Sequence, residues 1–97
     1  MVTYVGLMSF TDKGIQTVKD TTKRAAAVKE LAKKFGTNMS QIYWTMGHYD
    51  LVTIIEAEDE KAALTFAMAV GSAGNIRTHT LRAFNAEEMS AVLHKMP

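Results

Sequence analysis

Hydrophobic and polar positions alternate along the chain in blocks that predict four β-strands. Apolar side chains recur at every second residue from Val2 to Phe10, and the runs Met39 to Met46 and Leu51 to Ala57 also have strand character. A fourth strand is predicted from Asn75 to Phe84. A period of two is typical of a strand with one buried face. From Leu51 to Ile55 the third run is apolar on both faces apart from Thr53, which predicts a strand covered on both sides.

The first long helix is predicted from Thr22 to Phe35, after a single helical turn over Ile15 to Val18. Its apolar residues recur every three or four positions and predict a buried stripe: Ala25, Val28, Leu31 or Ala32, and Phe35. Gly36 is expected to end the helix in the left-handed conformation.

Two more helices follow the third and fourth strands. The earlier one begins at Glu58 to Glu60, and its body from Ala62 to Val70 has only a narrow polar stripe. A surface helix of a monomer normally has a broader polar face, so we expect something besides its own sheet to cover it. The last helix is predicted to start at Asn85, with Glu88 completing a capping box. Its predicted docking stripe consists of Met89, Val92, Leu93 and Met96.

The order of these elements predicts one α+β domain over residues 1–97. The pattern β-α-β-β-α-β with a C-terminal helix is ferredoxin-like, which means a four-stranded antiparallel sheet with helices on one face. Two helices cannot cover both faces of that sheet, and a chain of 97 residues has a thin core. We therefore expect a homodimer or higher homo-oligomer in which two sheets face each other around a barrel-like core.

Composition narrows the classes of partner. Eleven Lys and Arg against ten Asp and Glu leave a net charge of +1, which predicts no general attraction to nucleic acid or to an acidic membrane. Six basic residues cluster mostly on the first long helix: Lys19, Lys23, Arg24, Lys29, Lys33 and Lys34. We interpret them as a solvated helix face, the alternative being a phosphate-binding patch.

The absence of cysteine and the hydropathy of the chain argue against disulfide-linked, membrane-spanning and secreted proteins. The chain has no cysteine, which excludes a disulfide framework and any Cys-based zinc or redox site. No apolar run approaches the length of a membrane span, and no secretory signal is recognisable. These features predict a cytoplasmic protein.

Several segments in the same order resemble the GYD-domain family. The central segment Tyr43 to Asp50 contains the Gly, Tyr and Asp that give the family its name. The other similar segments are Tyr4-Val5, Phe10 to Asp12 with Gly14-Ile15, Lys23-Arg24, Gly71-Ser72, Gly74 to Thr78, and Thr80 to Phe84. One departure is His79, where we expect a carboxylate or another polar residue.

The resemblance spans nearly the whole chain and implies a fold relationship without a single activity. It implies the dimeric α+β barrel type, a superfamily that holds small monooxygenases, isomerases, haem-active enzymes and ligand-sensing domains. It implies no one reaction, because fold and function are separate properties.

The central turn supplies the candidate ligand site. Gly47 is expected to take a positive backbone angle in a tight turn, with Asp50 accepting turn N–H groups and Tyr49 packing its ring. A functional interpretation places the Tyr49 hydroxyl and the Asp50 carboxylate at the mouth of a pocket. The other candidate ligand-binding residues are Arg77, His79 and Trp44.

Charged and turn residues elsewhere have plainer interpretations. His48 and His79 are placed on opposite edge strands, so we expect them to lie far apart within one subunit, and no metal site is predicted. Gly74 and Asn75 are predicted to support a structural turn. Arg77 and Arg82 are expected on opposite faces of the fourth strand, where one of them forms an ion pair or else an anion clamp. Glu56 and Asp50 are the carboxylates with which that arginine could form the ion pair.

Two functional hypotheses follow. The first is a non-catalytic module, without a cofactor, that binds a small and partly apolar ligand or acts in assembly. The alternative is a cofactor-independent monooxygenase or isomerase whose polar groups are Tyr49, Asp50, His79 and Arg77. No nucleophile–base–acid set and no glycine-rich phosphate loop is present. A deep cavity in which two of these groups converge favours the enzyme, whereas groups paired with each other around a filled core favour the module.

Overall fold

Four strands and four α-helices make up the fold, in a computed structural model that describes all residues from 1 to 97. The strands are β1 (Val2–Phe10), β2 (Thr37–Trp44), β3 (Leu51–Ala57) and β4 (Ile76–Ala83). The helices are α1 (Asp12–Gln16), α2 (Thr21–Lys34), α3 (Glu60–Ser72) and α4 (Ala86–His94), with a 3₁₀ turn at Val18–Asp20. No helix has the length and apolar character needed to cross a membrane.

The strands form one antiparallel sheet in the order β2-β3-β1-β4. This order, with α2 and α3 as the connecting helices and α4 at the end, confirms the predicted ferredoxin-like α+β fold. On the central strand β1, Met8 pairs with Leu51 of β3 on one side and with Thr78 of β4 on the other.

The two faces of the sheet have different surroundings because side chains alternate along each strand. We call the face towards α2 and α3 the helix face; it carries the buried Tyr4 and Met8. We call the opposite one the open face. Its residues are Asn38, Gln41 and Tyr43 of β2, Val52, Ile54 and Glu56 of β3, Thr3, Val5, Leu7 and Ser9 of β1, and Arg77, His79, Leu81 and Ala83 of β4.

The hydrophobic core lies between the helix face and the helices α2 and α3. Its largest fully buried apolar side chain is Phe66 of α3, and Ala32 of α2 is also completely buried. Only 13 of the 97 residues are buried, so the core is as thin as the chain length predicts. Alternate residues of β3 are buried on the helix face and half-buried on the open face, where nothing in the subunit covers them.

β2 begins and ends two residues earlier than predicted. Gly36, with a φ of 68°, turns the chain directly into the strand, and the Thr37 hydroxyl donates a 2.6 Å hydrogen bond to the carbonyl oxygen of Ala32. At the other end the strand stops at Trp44, so a loop over residues 45–50 replaces the predicted tight turn. Met46, predicted to lie on the strand, is 99% exposed in this loop.

α4 has the predicted capping box and lacks the predicted docking contact. The Asn85 side chain accepts the Glu88 N–H at 2.8 Å, and the Glu88 carboxylate accepts the Asn85 N–H at 3.0 Å. No residue of α4 is buried. The apolar stripe that was expected to dock is therefore exposed within the subunit: Met89, Val92, Leu93 and Met96.

Candidate functional site

The loop over residues 45–50 is fixed to the end of β1. The Asp50 amide donates to the Met8 carbonyl oxygen at 2.8 Å, and the Asp50 carboxylate accepts the Phe10 N–H, also at 2.8 Å. Within the loop, the Thr45 N–H donates to the Asp50 carbonyl oxygen at 2.8 Å, and the Thr45 hydroxyl donates to the Tyr49 carbonyl oxygen at 2.6 Å. The carboxylate of Asp50 is thus engaged by the backbone of β1.

Tyr49 lies between two imidazole rings. Its ring centroid is 4.8 Å from that of His48 and 5.8 Å from that of His79, with interplanar angles of 84° and 65°. Both contacts are edge-to-face arrangements of the kind that aromatic rings prefer. No third His, Asp or Glu side chain joins them in a group that could hold a metal ion.

Within one subunit the Tyr49 ring therefore bridges His48 and His79, which were expected to lie on opposite edge strands. His48 lies in the loop and not on β2. Because this loop is bonded to β1, it carries Tyr49 past the end of β1 as far as β4, where the ring meets His79.

Of the five candidate ligand-binding residues, the fold brings Tyr49 and His79 into contact but does not gather all five around one site. Trp44 lies on the helix face, where its Nε1 donates a 3.0 Å hydrogen bond to the Thr21 hydroxyl at the start of α2. Arg77 and His79 lie on the open face, and Arg77 is exposed without an ion pair. Asp50 is held in the backbone network at the end of β1, and Tyr49 packs between the imidazole rings.

Arg82 pairs with a carboxylate that sequence reasoning missed. It lies on the helix face, opposite to Arg77 as predicted, and its guanidinium is 3.2 Å from the Glu88 carboxylate. The expected pairing with Glu56 or Asp50 is wrong, because the turn into α4 places Glu88 next to the end of β4. The hydrogen bond from the backbone of Asn85, reinforced by the Arg82 guanidinium, lowers the pKa of Glu88 below its ordinary value.

The turn before β4 is tied to the start of α1. The Thr11 hydroxyl donates to the Gly74 carbonyl oxygen at 2.5 Å, and the Thr11 N–H donates to the Asn75 carbonyl oxygen at 3.1 Å. The Lys13 ammonium group donates to the Ala73 carbonyl oxygen at 2.9 Å. Gly74 has a φ of 83°, in the region that favours glycine. These contacts hold the two loops together at one end of the sheet.

A partly open cavity of about 110 Å³ lies on the helix face, between α2 and α3. None of the five candidate ligand-binding residues lines it. Its wall is mostly apolar and includes Met8, Val28, Leu31, Met39, Ile42 and Val70. Sequence reasoning missed the cavity because these residues occupy positions that predict a filled core. The one available signal was Thr53, the single polar residue in the centre of an apolar strand, which also lies in the wall.

Comparisons with known proteins confirm the family that the sequence resembles. The GYD domain model matches residues 4–93. The glutamine synthetase and cystathionine beta-lyase binding protein of Thermus thermophilus is 32% identical over 94 residues, which are 96% of this chain and 99% of the relative.

A solved structure has the same fold. The crystal structure of TTHA0845 from Thermus thermophilus has a TM-score of 0.58 at 24% identity, covering 89% of this chain and 96% of that one. This likeness shows the fold alone. The family model and the relative, each covering most of the sequence, show that the chain belongs to the GYD-domain family.

Proposed function

We propose that the chain is a non-catalytic binding module that self-associates through the open face and binds a protein partner. The observation that carries this proposal is that the candidate polar groups contact other residues of the same chain. Asp50 accepts the Phe10 amide, Trp44 donates to Thr21, and Tyr49 packs between imidazole rings. An enzyme of the alternative class needs such groups around one reacting atom. Here these groups are engaged by the protein's own backbone and side chains and do not surround one open cavity, which supports the module.

The open face provides the surface for a second copy. Its apolar patch is formed by Val5, Leu7, Val52 and Ile54 on the two central strands and by Leu81 on the edge strand β4. No helix of the subunit covers it, and Leu81 is 51% exposed. The other four are half-buried by their neighbours in the sheet. A contiguous apolar surface that no element of the subunit covers is typical of interaction sites. In a dimer with two-fold symmetry, the same apolar patch of each copy forms the interface, so the two surfaces match each other.

The open face alone is small for a stable interface between two copies, and α4 can add to the buried area. Four strands about 4.8 Å apart, each of about eight residues at about 3.3 Å per residue, give a face of about 500 Å². Two such faces bury about 1,000 Å², which is at the lower limit for a stable interface. The exposed stripe on α4 is apolar and has no partner within the subunit. We propose that it contacts the second copy and enlarges the interface.

The outer surface of α3 is a second apolar surface, on the other side of the subunit. Leu64 and Met68 are both more than half exposed there. Pairing through the open face leaves this surface uncovered. The Thermus relative is named for binding glutamine synthetase and cystathionine beta-lyase. We propose that this chain also binds an enzyme, and that α3 is the contact.

The protein-partner proposal is tested with purified glutamine synthetase and cystathionine beta-lyase from the organism that encodes this chain. Their binding to the chain is measured by biolayer interferometry. We expect saturable binding to at least one of them. Met68→Asp is expected to weaken that binding at least tenfold, since a charge in a buried apolar contact is unfavourable. Ile15→Asp, which changes an exposed apolar residue on α1, is the matched control and is expected to bind normally. Failure of the wild-type protein to bind either enzyme would contradict this part of the proposal.

A further inference from the structure

A buried hydroxyl without a hydrogen-bond partner lies beside the cavity on the helix face. Thr53 of β3 is 1% exposed, and its Oγ1 makes no hydrogen bond. Its cross-strand neighbour is Gly6 of β1, and a Cβ atom at that position would lie 2.5 Å from the hydroxyl oxygen. The glycine therefore leaves room for a polar group that nothing in the subunit satisfies. Buried polar groups are almost always paired, so this one calls for an explanation.

Small side chains on the two long helices create the space next to Thr53. Ala25 of α2, Ala69 of α3 and Ala73, the residue directly after α3, line the cavity where longer side chains would fill it. The volume of about 110 Å³ is somewhat smaller than the roughly 150 Å³ of an apolar protein cavity that binds benzene. It therefore suits a molecule of about six non-hydrogen atoms.

Water is a poor occupant for this space. A buried water molecule needs two to four polar partners, and this wall is mostly apolar. Of the other three polar residues in the wall, Thr21 already accepts the Trp44 indole N–H, and the Arg24 guanidinium already donates to Thr17 and to the Gly14 carbonyl oxygen. Only the side chain of Asn75, the residue before β4, is left as a further polar group for an occupant. A molecule with an apolar body and one polar group matches the wall better than water does.

We infer that this cavity binds a small apolar molecule with a single hydroxyl or carbonyl group, which forms a hydrogen bond with Thr53. The apolar body lies among the side chains of Val28, Met39 and Val70. The site belongs to one subunit and is on the opposite side of the sheet from the open face. Ligand binding in this cavity is thus independent of the proposed self-association, and an experiment can refute one of the two proposals without refuting the other.

Phenol and benzene are suitable probes because they differ by one hydroxyl group. Titration of each into the wild-type protein, followed through the methyl resonances of Met39 and Val70, is expected to show saturable binding of both. Thr53→Val keeps the shape of the side chain and removes its hydroxyl. We expect this variant to bind benzene as the wild type does, while the ratio of phenol to benzene affinity falls about tenfold.

Filling the cavity separates specific binding from surface partitioning. Ala69→Leu is expected to abolish the binding of both probes, and Ala25→Leu fills the same space from α2 if the first variant does not fold. Ala26→Leu, on the exposed side of α2, is the matched control and is expected to bind both probes. The inference is overturned if neither probe shifts the Met39 and Val70 resonances, if the affinity ratio is unchanged in Thr53→Val, or if both filled variants still bind.

Discussion

The carboxylate of Asp50 accepts the backbone N–H of Phe10 at 2.8 Å, although forty residues separate them in the chain. The pairing of β1 with β3 ends at Met8 and Leu51, so the Phe10 amide has no partner strand on that side. Asp50 substitutes for the missing strand and anchors the loop over residues 45–50. One of the three residues after which the family is named thus fixes the end of the sheet in this subunit.

Removal of the Asp50 carboxylate is expected to destabilise the protein. Asp50→Ala leaves the half-buried Phe10 amide without its acceptor, which costs about 1–3 kcal/mol in the free energy of unfolding. Asp50→Asn keeps a neutral acceptor and is expected to lose less. Urea denaturation measures both, and Asp20→Asn is the control, since the exposed Asp20 makes no capping hydrogen bond. Equal stability of Asp50→Ala and the control would contradict the anchoring role.

The close approach of Gly6 to Thr53 predicts a coupled pair of substitutions. Gly6→Ala places a Cβ atom against the Thr53 hydroxyl and close to the Met8 methyl group, and we expect a loss of about 1–3 kcal/mol. Removing the hydroxyl in Gly6→Ala/Thr53→Ala is expected to recover part of that loss in a double-mutant cycle.

Gly71→Ala is the control for this cycle. Nothing lies within 4 Å of its added Cβ atom, and Gly71 is inside α3, where alanine is the better helix former. Thermal or urea unfolding is expected to show equal or greater stability for this variant. Strict additivity of the Gly6 and Thr53 substitutions would show that the two side chains do not compete for the same space.

The start of α4 is expected to depend on pH through Glu88. Its pKa is lowered from 4.5 in the folded protein, first by the Asn85 backbone hydrogen bond and then by Arg82. Because the folded pKa lies below the unfolded one, the contribution is fully present above about pH 4.5 and is lost as the pH falls through the lower folded value. Secondary chemical shifts of residues 86–94 in an acid titration measure this loss.

Two variants distinguish loss of the capping box from general unfolding of the protein in acid. Glu88→Gln is expected to fray the first turn of α4 already at neutral pH, because it removes the ionised acceptor. Glu87→Gln, in the same exposed turn, is expected to behave as the wild type. A pH-independent α4 in the wild-type protein would refute the role assigned to Glu88.

Local patterns were sufficient for the elements of the fold and insufficient for the candidate site. The alternation in β1, the helical stripe of α2 and the Asn85 capping box are short-range features, and the structure has each of them. The contact between Tyr49 and His79 depends on how the loop crosses β1, which no local pattern specifies. The pairing of Arg82 with Glu88 likewise depends on the angle at which α4 leaves the sheet.

The cavity was unpredictable for a different reason. Helical and strand periodicity identifies which side chains point inward, but it does not say whether they fill the space between the layers. Ala25, Ala69 and Ala73 have the same apolar character as core residues and differ from them only in size. The orphan hydroxyl of Thr53 becomes meaningful only when Gly6 is known to lie opposite.

Self-association through the open face is tested most directly by sedimentation velocity at low micromolar concentration. We predict that the wild-type protein sediments with at least twice the mass of one chain and that Leu81→Asp, in the apolar patch of the open face on the edge strand β4, sediments as a monomer. Ile15→Asp replaces a side chain of nearly equal exposure, 52% against 51%, outside that face, and is predicted to remain associated. A wild-type protein that sediments as a stable single chain would contradict the account.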